Sequence, residues 1–175
     1  MNERALPAWR PVGMAPAALA RLVALLLPLG LLGGALASQY LGGLAPCEMC
    51  YWQRWPHAAA ILFGAIAFTA PADAPRARML TLAAAAAIAV SGAIGVYHAG
   101  VEAGLFEGLT TCSAMAGGGS ADELLESIMR TPLVRCDQVQ FSFLGISMAG
   151  WNAILSTLAA LVILWLSLRR SPIRS

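Results

Sequence analysis

The sequence predicts an all-α membrane protein, a four-transmembrane-helix bundle, and three observations carry that reading. Of 175 residues 59% are hydrophobic and only 11% charged, too apolar for an ordinary soluble domain. Four apolar runs are separated by polar, Pro- or Gly-bearing stretches. All eleven basic residues are arginines, and most flank those runs. At roughly 20 apolar residues per span, the length holds about four spans and short loops, so residues 1–175 are expected to form a single transmembrane domain. The net charge of +2 therefore reports topology within a lipid bilayer, not a nucleic-acid partner.

The helices are expected at about 17–38, 51–70, 79–98 and 146–168, with outer loops at about 39–50 and 99–145. Arg4, Arg10 and Arg21 precede or open the first, Arg76 and Arg78 lie between the second and third, and Arg169, Arg170 and Arg174 follow the fourth. These eight share one side, and by the positive-inside rule both termini are cytoplasmic. The first run ends in Ala35-Leu-Ala37, an A-x-A-like cleavage signal, but its length and the extended basic segment before it favour an uncleaved span. In the third run, Ser91-Gly-Ala-Ile-Gly95 has small residues four apart, which allows close helix contact. Trp52, Trp55, Tyr97 and Trp151 suit interfacial anchors. Within the long outer loop, Ser120-Ala-Asp-Glu123 has the form of a capping box, so a short amphipathic helix is expected to start there and stop by Pro132. Gly117-Gly-Gly119 ahead of it suits a hinge.

All four cysteines then fall on the outer side, where disulfides persist. Pro46-Cys-Glu-Met-Cys50 precedes the second helix, whose N-terminus favours thiolate over thiol, so the C-x-x-C spacing points to a reactive dithiol. A structural disulfide and half of a metal site are the alternatives; a four-cysteine zinc site usually needs a second close pair, which Cys112 and Cys136 do not supply, so no metal is expected. Arg54 follows Cys50 by four residues and Cys47 by seven, on the same helical face, where it would stabilise a thiolate or else snorkel to the interface. His98, at the outer end of the third helix, is a candidate hydrogen-bonding or proton-donating group, or a merely solvated one. A link between Cys112 and Cys136 would close a loop of about 25 residues and constrain the open chain by roughly 3–4 kcal/mol, so a structural staple competes with a relay role.

Taken together, Pro46-Cys-Glu-Met-Cys50, Arg54, Cys112, Cys136 and Phe143-Leu-Gly-Ile-Ser-Met148 resemble the disulfide bond formation protein B (DsbB) family over nearly the whole chain. The resemblance implies a bacterial inner-membrane protein-dithiol:quinone oxidoreductase that reoxidises a periplasmic, DsbA-like thioredoxin-fold oxidase. It implies that the partner attacks Cys112, that electrons pass through Cys136 to Cys47, and that Cys50 faces ubiquinone or menaquinone. Arg54, His98 and Met148 are then expected with Cys50 around the quinone. Gln53, before Arg54, stands where some members carry an acid, and Trp55 and Pro56 follow directly. A membrane protein resembling vitamin K epoxide reductase is disfavoured, because its C-x-x-C is expected in the last helix. A non-enzymatic protein with metal-binding or stapling cysteines is the reading from a different class.

Overall fold

The computed structural model describes residues 15–108 and 134–169. Four helices are present there: α1 (Pro16–Tyr40), α2 (Glu48–Ala67), α3 (Pro75–Glu102) and α4 (Met148–Leu168). A two-stranded hairpin, β1 (Ser142–Phe143) and β2 (Ile146–Ser147), leads directly into α4. The predicted amphipathic helix at Ser120 lies outside the described residues, as do Cys112 and the glycine run before that helix.

By length and composition α1, α3 and α4 are apolar enough to cross a membrane. The second predicted span forms a 20-residue helix, but Gln53, Arg54 and His57 interrupt its apolar character. Its start also differs from the expected residue 51. Cys47 is the N-cap, its sulfur accepting from the Cys50 amide at 3.3 Å, so the whole motif is drawn into the first turn. The third helix starts four residues earlier than expected, with Pro75 at its first turn, where a missing N–H costs nothing, and it continues one turn past His98.

The core is built from small residues. Ala20 and Ala24 of α1, Ala60 of α2, Ala84, Ala85 and Ile88 of α3, and Ala159, Ile163 and Leu166 of α4 form one buried cluster. A Cβ on Gly92 would meet Ser156 and Thr157 at 3.1–3.3 Å, and one on Gly95 would meet the Ala153 amide and Ala149 carbonyl at 3.0–3.1 Å. Gly92 and Gly95, within the Ser91–Gly95 run of small residues, thus let α3 and α4 approach closely, as the sequence suggests. At the opposite end of α2 from the cysteines, Arg21 donates to the carbonyls of Ala67 (3.1 Å) and Ala70 (2.8 Å) and lies over the Phe68 ring. A cation there satisfies orphan helix-end acceptors and meets the negative end of the α2 dipole.

The hairpin pairs Ser142 with Ser147 and Phe143 with Ile146. Its two turn residues, Leu144 and Gly145, both have positive φ (53° and 77°), as a tight turn matching strand twist requires. Leucine is costly in that conformation and stands 78% exposed, so turn geometry rather than burial determines its placement. Ser147 caps α4 by accepting from the Gly150 amide at 3.0 Å, and Trp151 Nε1 donates to the Phe143 carbonyl at 3.0 Å.

Candidate active site

The first turn of α2 is where the chemistry gathers. Cys47 and Cys50 are thiols with sulfurs 3.0 Å apart, within about 1 Å of disulfide bonding distance. Cys47 is buried at 3% exposure, whereas Cys50 is more open. Hydrogen bonding to Cys50, followed by burial, holds the Cys47 thiol well above its ordinary pKa, so one proton is kept on that side of the pair. The Cys47 side chain first, and then the Arg54 charge, act on Cys50.

Behind Cys47 stands His98, only 3% exposed and not solvated at an interface. Gln53 Nε2 donates to its Nδ1 at 2.8 Å, which leaves the ring proton on Nε2. That nitrogen lies 3.6 Å from the Cys47 sulfur and 3.9 Å from Glu102 Oε1, and the ring also hydrogen-bonds the Cys136 backbone. Cys136 itself is fully buried and clusters with Cys47, Met49 and Val101. The structure therefore brings together Cys47, Cys50, His98 and Cys136, from two helices and the loop before the hairpin.

Arg54 does not turn its guanidinium wholly toward the sulfurs. Its Nη1 donates to Gln39 Oε1 (2.5 Å) and its Nη2 to the Ala35 carbonyl (3.2 Å), both on α1. The Tyr51 ring lies beneath it, 5.0 Å from centroid to guanidinium carbon.

A cavity of about 620 Å³ opens beside the pair, bounded by α1, α2, the end of α3, α4 and the hairpin strand. Its walls are mainly apolar, with Leu31, Phe141 and Met148 among them, and Cys50, Arg54, His57 and His98 also line it. Arg54 Nε and His57 Nδ1 are buried there without a protein hydrogen-bond partner among the described residues. Volume, apolar walls and a few unsatisfied polar atoms fit a flat, mostly apolar ligand with polar edges, as a quinone is.

Sequence reasoning missed several polar residues that hold this arrangement. Asn152 of α4 donates to Gln53 Oε1 (2.7 Å) and lies 2.9 Å from His57 Nε2. His57 Nε2 also lies 2.9 Å from Ser91 Oγ, which donates to the Gln53 carbonyl at 2.9 Å. The signal was available: polar side chains in apolar runs are costly and face partners or cavities.

These features define a helical membrane protein with a redox-capable dithiol at the mouth of an apolar cavity. The family profile for disulfide bond formation protein DsbB matches residues 17–166, and the chain belongs to that family. It is 31% identical over 156 residues to the disulfide bond formation protein B of Marinobacter nauticus (strain ATCC 700491 / DSM 11845 / VT8), covering 81% of this chain and 86% of the relative. With the protein of that name from Azoarcus sp. (strain BH72) it shares 29% over 164 residues, 78% of this chain and 83% of the relative. An uncharacterized protein of Rickettsia prowazekii (strain Madrid E), RP370, is 26% identical over 128 residues, covering 71% and 73% of the two chains. No solved structure matches the chain. The chain is thus a transmembrane oxidoreductase of disulfide bond formation.

Proposed function

We propose that the chain is a single four-span domain of the bacterial inner membrane, with both termini cytoplasmic and the cysteines facing the periplasm. It reoxidises a DsbA-like thioredoxin-fold oxidase and delivers the electrons to a membrane quinone. The observation that carries this reading is the position of Cys50 between Cys47, which clusters with Cys136, and the apolar cavity lined by Arg54.

In this reading the partner's dithiol is oxidised as its thiolate attacks Cys112 of a Cys112–Cys136 disulfide. A mixed disulfide forms, and its resolution leaves Cys112 and Cys136 reduced. Cys136 then attacks Cys47 of a Cys47–Cys50 disulfide, releasing Cys50 as thiolate, which Arg54 and the α2 N-terminus stabilise. Cys112 resolves the Cys47–Cys136 bond, and Cys47 leaves as a thiolate. His98 Nε2 is placed to protonate that sulfur, and Gln53 holds the ring in the tautomer that does so. This assigns His98 first to Cys47, although it also lines the cavity with Met148. The quinone, ubiquinone or menaquinone, supplies acceptance of two electrons and two protons when bound. Cys50, Arg54, His57, His98 and Met148 would hold it.

The test is reduction of a soluble quinone by the full chain in detergent, driven by a reduced thioredoxin-fold oxidase. Catalytic loss of quinone absorbance, abolished by Cys50→Ser and by Cys112→Ser, is expected. Flat absorbance with folded protein across several quinones and partners would refute it and favour stapling cysteines.

A further inference from the structure

The reduced pair does not stand alone: Cys47 Sγ, Cys50 Sγ and His98 Nε2 all lie within 4.8 Å of one another. The two sulfurs are 3.0 Å apart and Cys47 Sγ is 3.6 Å from His98 Nε2. With metal bonds of about 2.3 Å to sulfur and 2.0–2.1 Å to imidazole, tetrahedral ligands stand roughly 3.5–3.8 Å apart. Small movements of the side chains therefore give three ligands on one face of an ion. Glu102 Oε1, 3.9 Å from His98 Nε2 and on a side chain only 10% exposed, is outside that close group of three and reaches the fourth position by a side-chain movement. We infer that the reduced chain carries a binding site for a soft divalent metal such as Zn²⁺, made by Cys47, Cys50 and His98, with Glu102 near enough to turn into the open position.

The chemistry makes the site conditional on redox state. Both cysteines bind as thiolates, so uptake releases two protons, and a Cys47–Cys50 disulfide offers no such ligand. The His98 ring proton moves from Nε2 to Nδ1, where Gln53 accepts it after turning its side-chain amide, the usual support of a metal-bound imidazole. Bound metal then holds the dithiol reduced. Zinc would stop disulfide formation by capturing the enzyme between turnovers, without needing the quinone or the partner to be present. The inference is independent of which acceptor the chain uses.

The experiment takes the full chain in detergent, carrying Cys112→Ser and Cys136→Ser so that the loop thiols cannot serve as ligands. Reduced protein is titrated with Co²⁺, read by thiolate-to-cobalt charge-transfer absorption, and the cobalt is displaced with Zn²⁺. A single equivalent is expected, with none bound after the pair is oxidised. His98→Ala should weaken binding by about tenfold or more, and Glu102→Gln by less. X-ray absorption on the zinc form, with His98 intact, should count two sulfurs and at least one imidazole. Absence of charge transfer in folded, reduced protein overturns the site. So does a sulfur-only shell, or unchanged affinity in folded His98→Ala, either of which reduces it to simple dithiol chelation.

Discussion

Replacing Gln53 with leucine tests whether His98 acts on Cys47 as an oriented ring. The amide is buried at 6% exposure, and its loss removes three contacts: to His98 Nδ1 (2.8 Å), from Asn152 Nδ2 (2.7 Å) and to the Met49 carbonyl (3.3 Å). Asn152 Nδ2 keeps the Ser91 carbonyl and hydroxyl at 3.2 Å, and Met49 O is a helix carbonyl. The main casualty is therefore His98 Nδ1. An orphaned buried acceptor costs about 1–3 kcal/mol in general, but interhelical hydrogen bonds in membrane proteins average only about 0.6 kcal/mol, so a net loss near ~1 kcal/mol is expected. Activity should suffer more than stability. General acid–base groups contribute roughly 10²-fold or more, so His98→Ala should lower turnover by about that factor and Gln53→Leu by about tenfold. Because one residue works through the other, the double variant should be no slower than His98→Ala. Turnover and denaturant melts of the four proteins form the cycle. Strictly additive losses in turnover, with fold and stability preserved, would refute a positioning role for Gln53.

Cys47 and Cys136 share one buried cluster, so a Cys50→Ser, Cys112→Ser chain should form a Cys47–Cys136 disulfide under mild oxidation, read as a non-reducing cross-link; persistence of two free thiols would place them out of reach. Gly95→Leu should destabilise by about 1–3 kcal/mol through overpacking on α4, while Gly33→Ala, with nothing within 4 Å of its Cβ, should stabilise by up to about 1 kcal/mol; detergent melts decide both. Arg54→Met should raise the quinone KM and slow alkylation of Cys50 at neutral pH, and unchanged alkylation would show that the guanidinium does not act on the sulfur. Hydrogen bonding and charge from Arg135 hold the Asp137 carboxyl below the usual carboxylate range. The pair is thus intact above that range and lost as pH falls through the lowered value; Arg135→Gln should return the Asp137 NMR titration midpoint upward.

The apolar periodicity made the helices legible, because hydrocarbon length and hydropathy leave few alternatives. Element ends were less so. The expected start of α2 at residue 51 followed the apolar run, whereas capping geometry moved the start to Glu48 and made Cys47 part of the helix end. The hairpin escaped notice because Leu144-Gly145 is not the Asn-Gly or Asp-Gly pair that marks such turns, and the motif that carried the resemblance, Phe143 to Met148, is that hairpin with the first residue of α4. Cys47, Cys50, Arg54 and Met148 were readable as site candidates from spacing and resemblance. Gln53, His57 and Asn152 stand out in the sequence only as polar residues in apolar runs; their roles were not readable, since these depend on which faces of α2, α3 and α4 meet, and no single-chain period reveals that.

The polar network explains why α2 is the least apolar of the four helices. A purely hydrophobic α2 would insert more readily, but it would lose the Gln53 amide that fixes the His98 ring and the His57 ring that meets the Ser91 hydroxyl. The cost is contained because Gln53, His57, Ser91, His98 and Ser156 are all buried between helices, away from lipid, and are hydrogen-bonded to one another or through Asn152. The close α3–α4 approach allowed by Gly92 and Gly95 places Asn152 within reach of Ser91 and α2, so small residues and polar ones serve one end. Of the three buried side-chain atoms without a partner among the described residues, Arg21 Nε lies at the other end of α2, while Arg54 Nε and His57 Nδ1 belong to residues lining the cavity beside Cys50. A network otherwise satisfied, but left short at its cavity edge, is what a site completed by a polar-edged ligand requires.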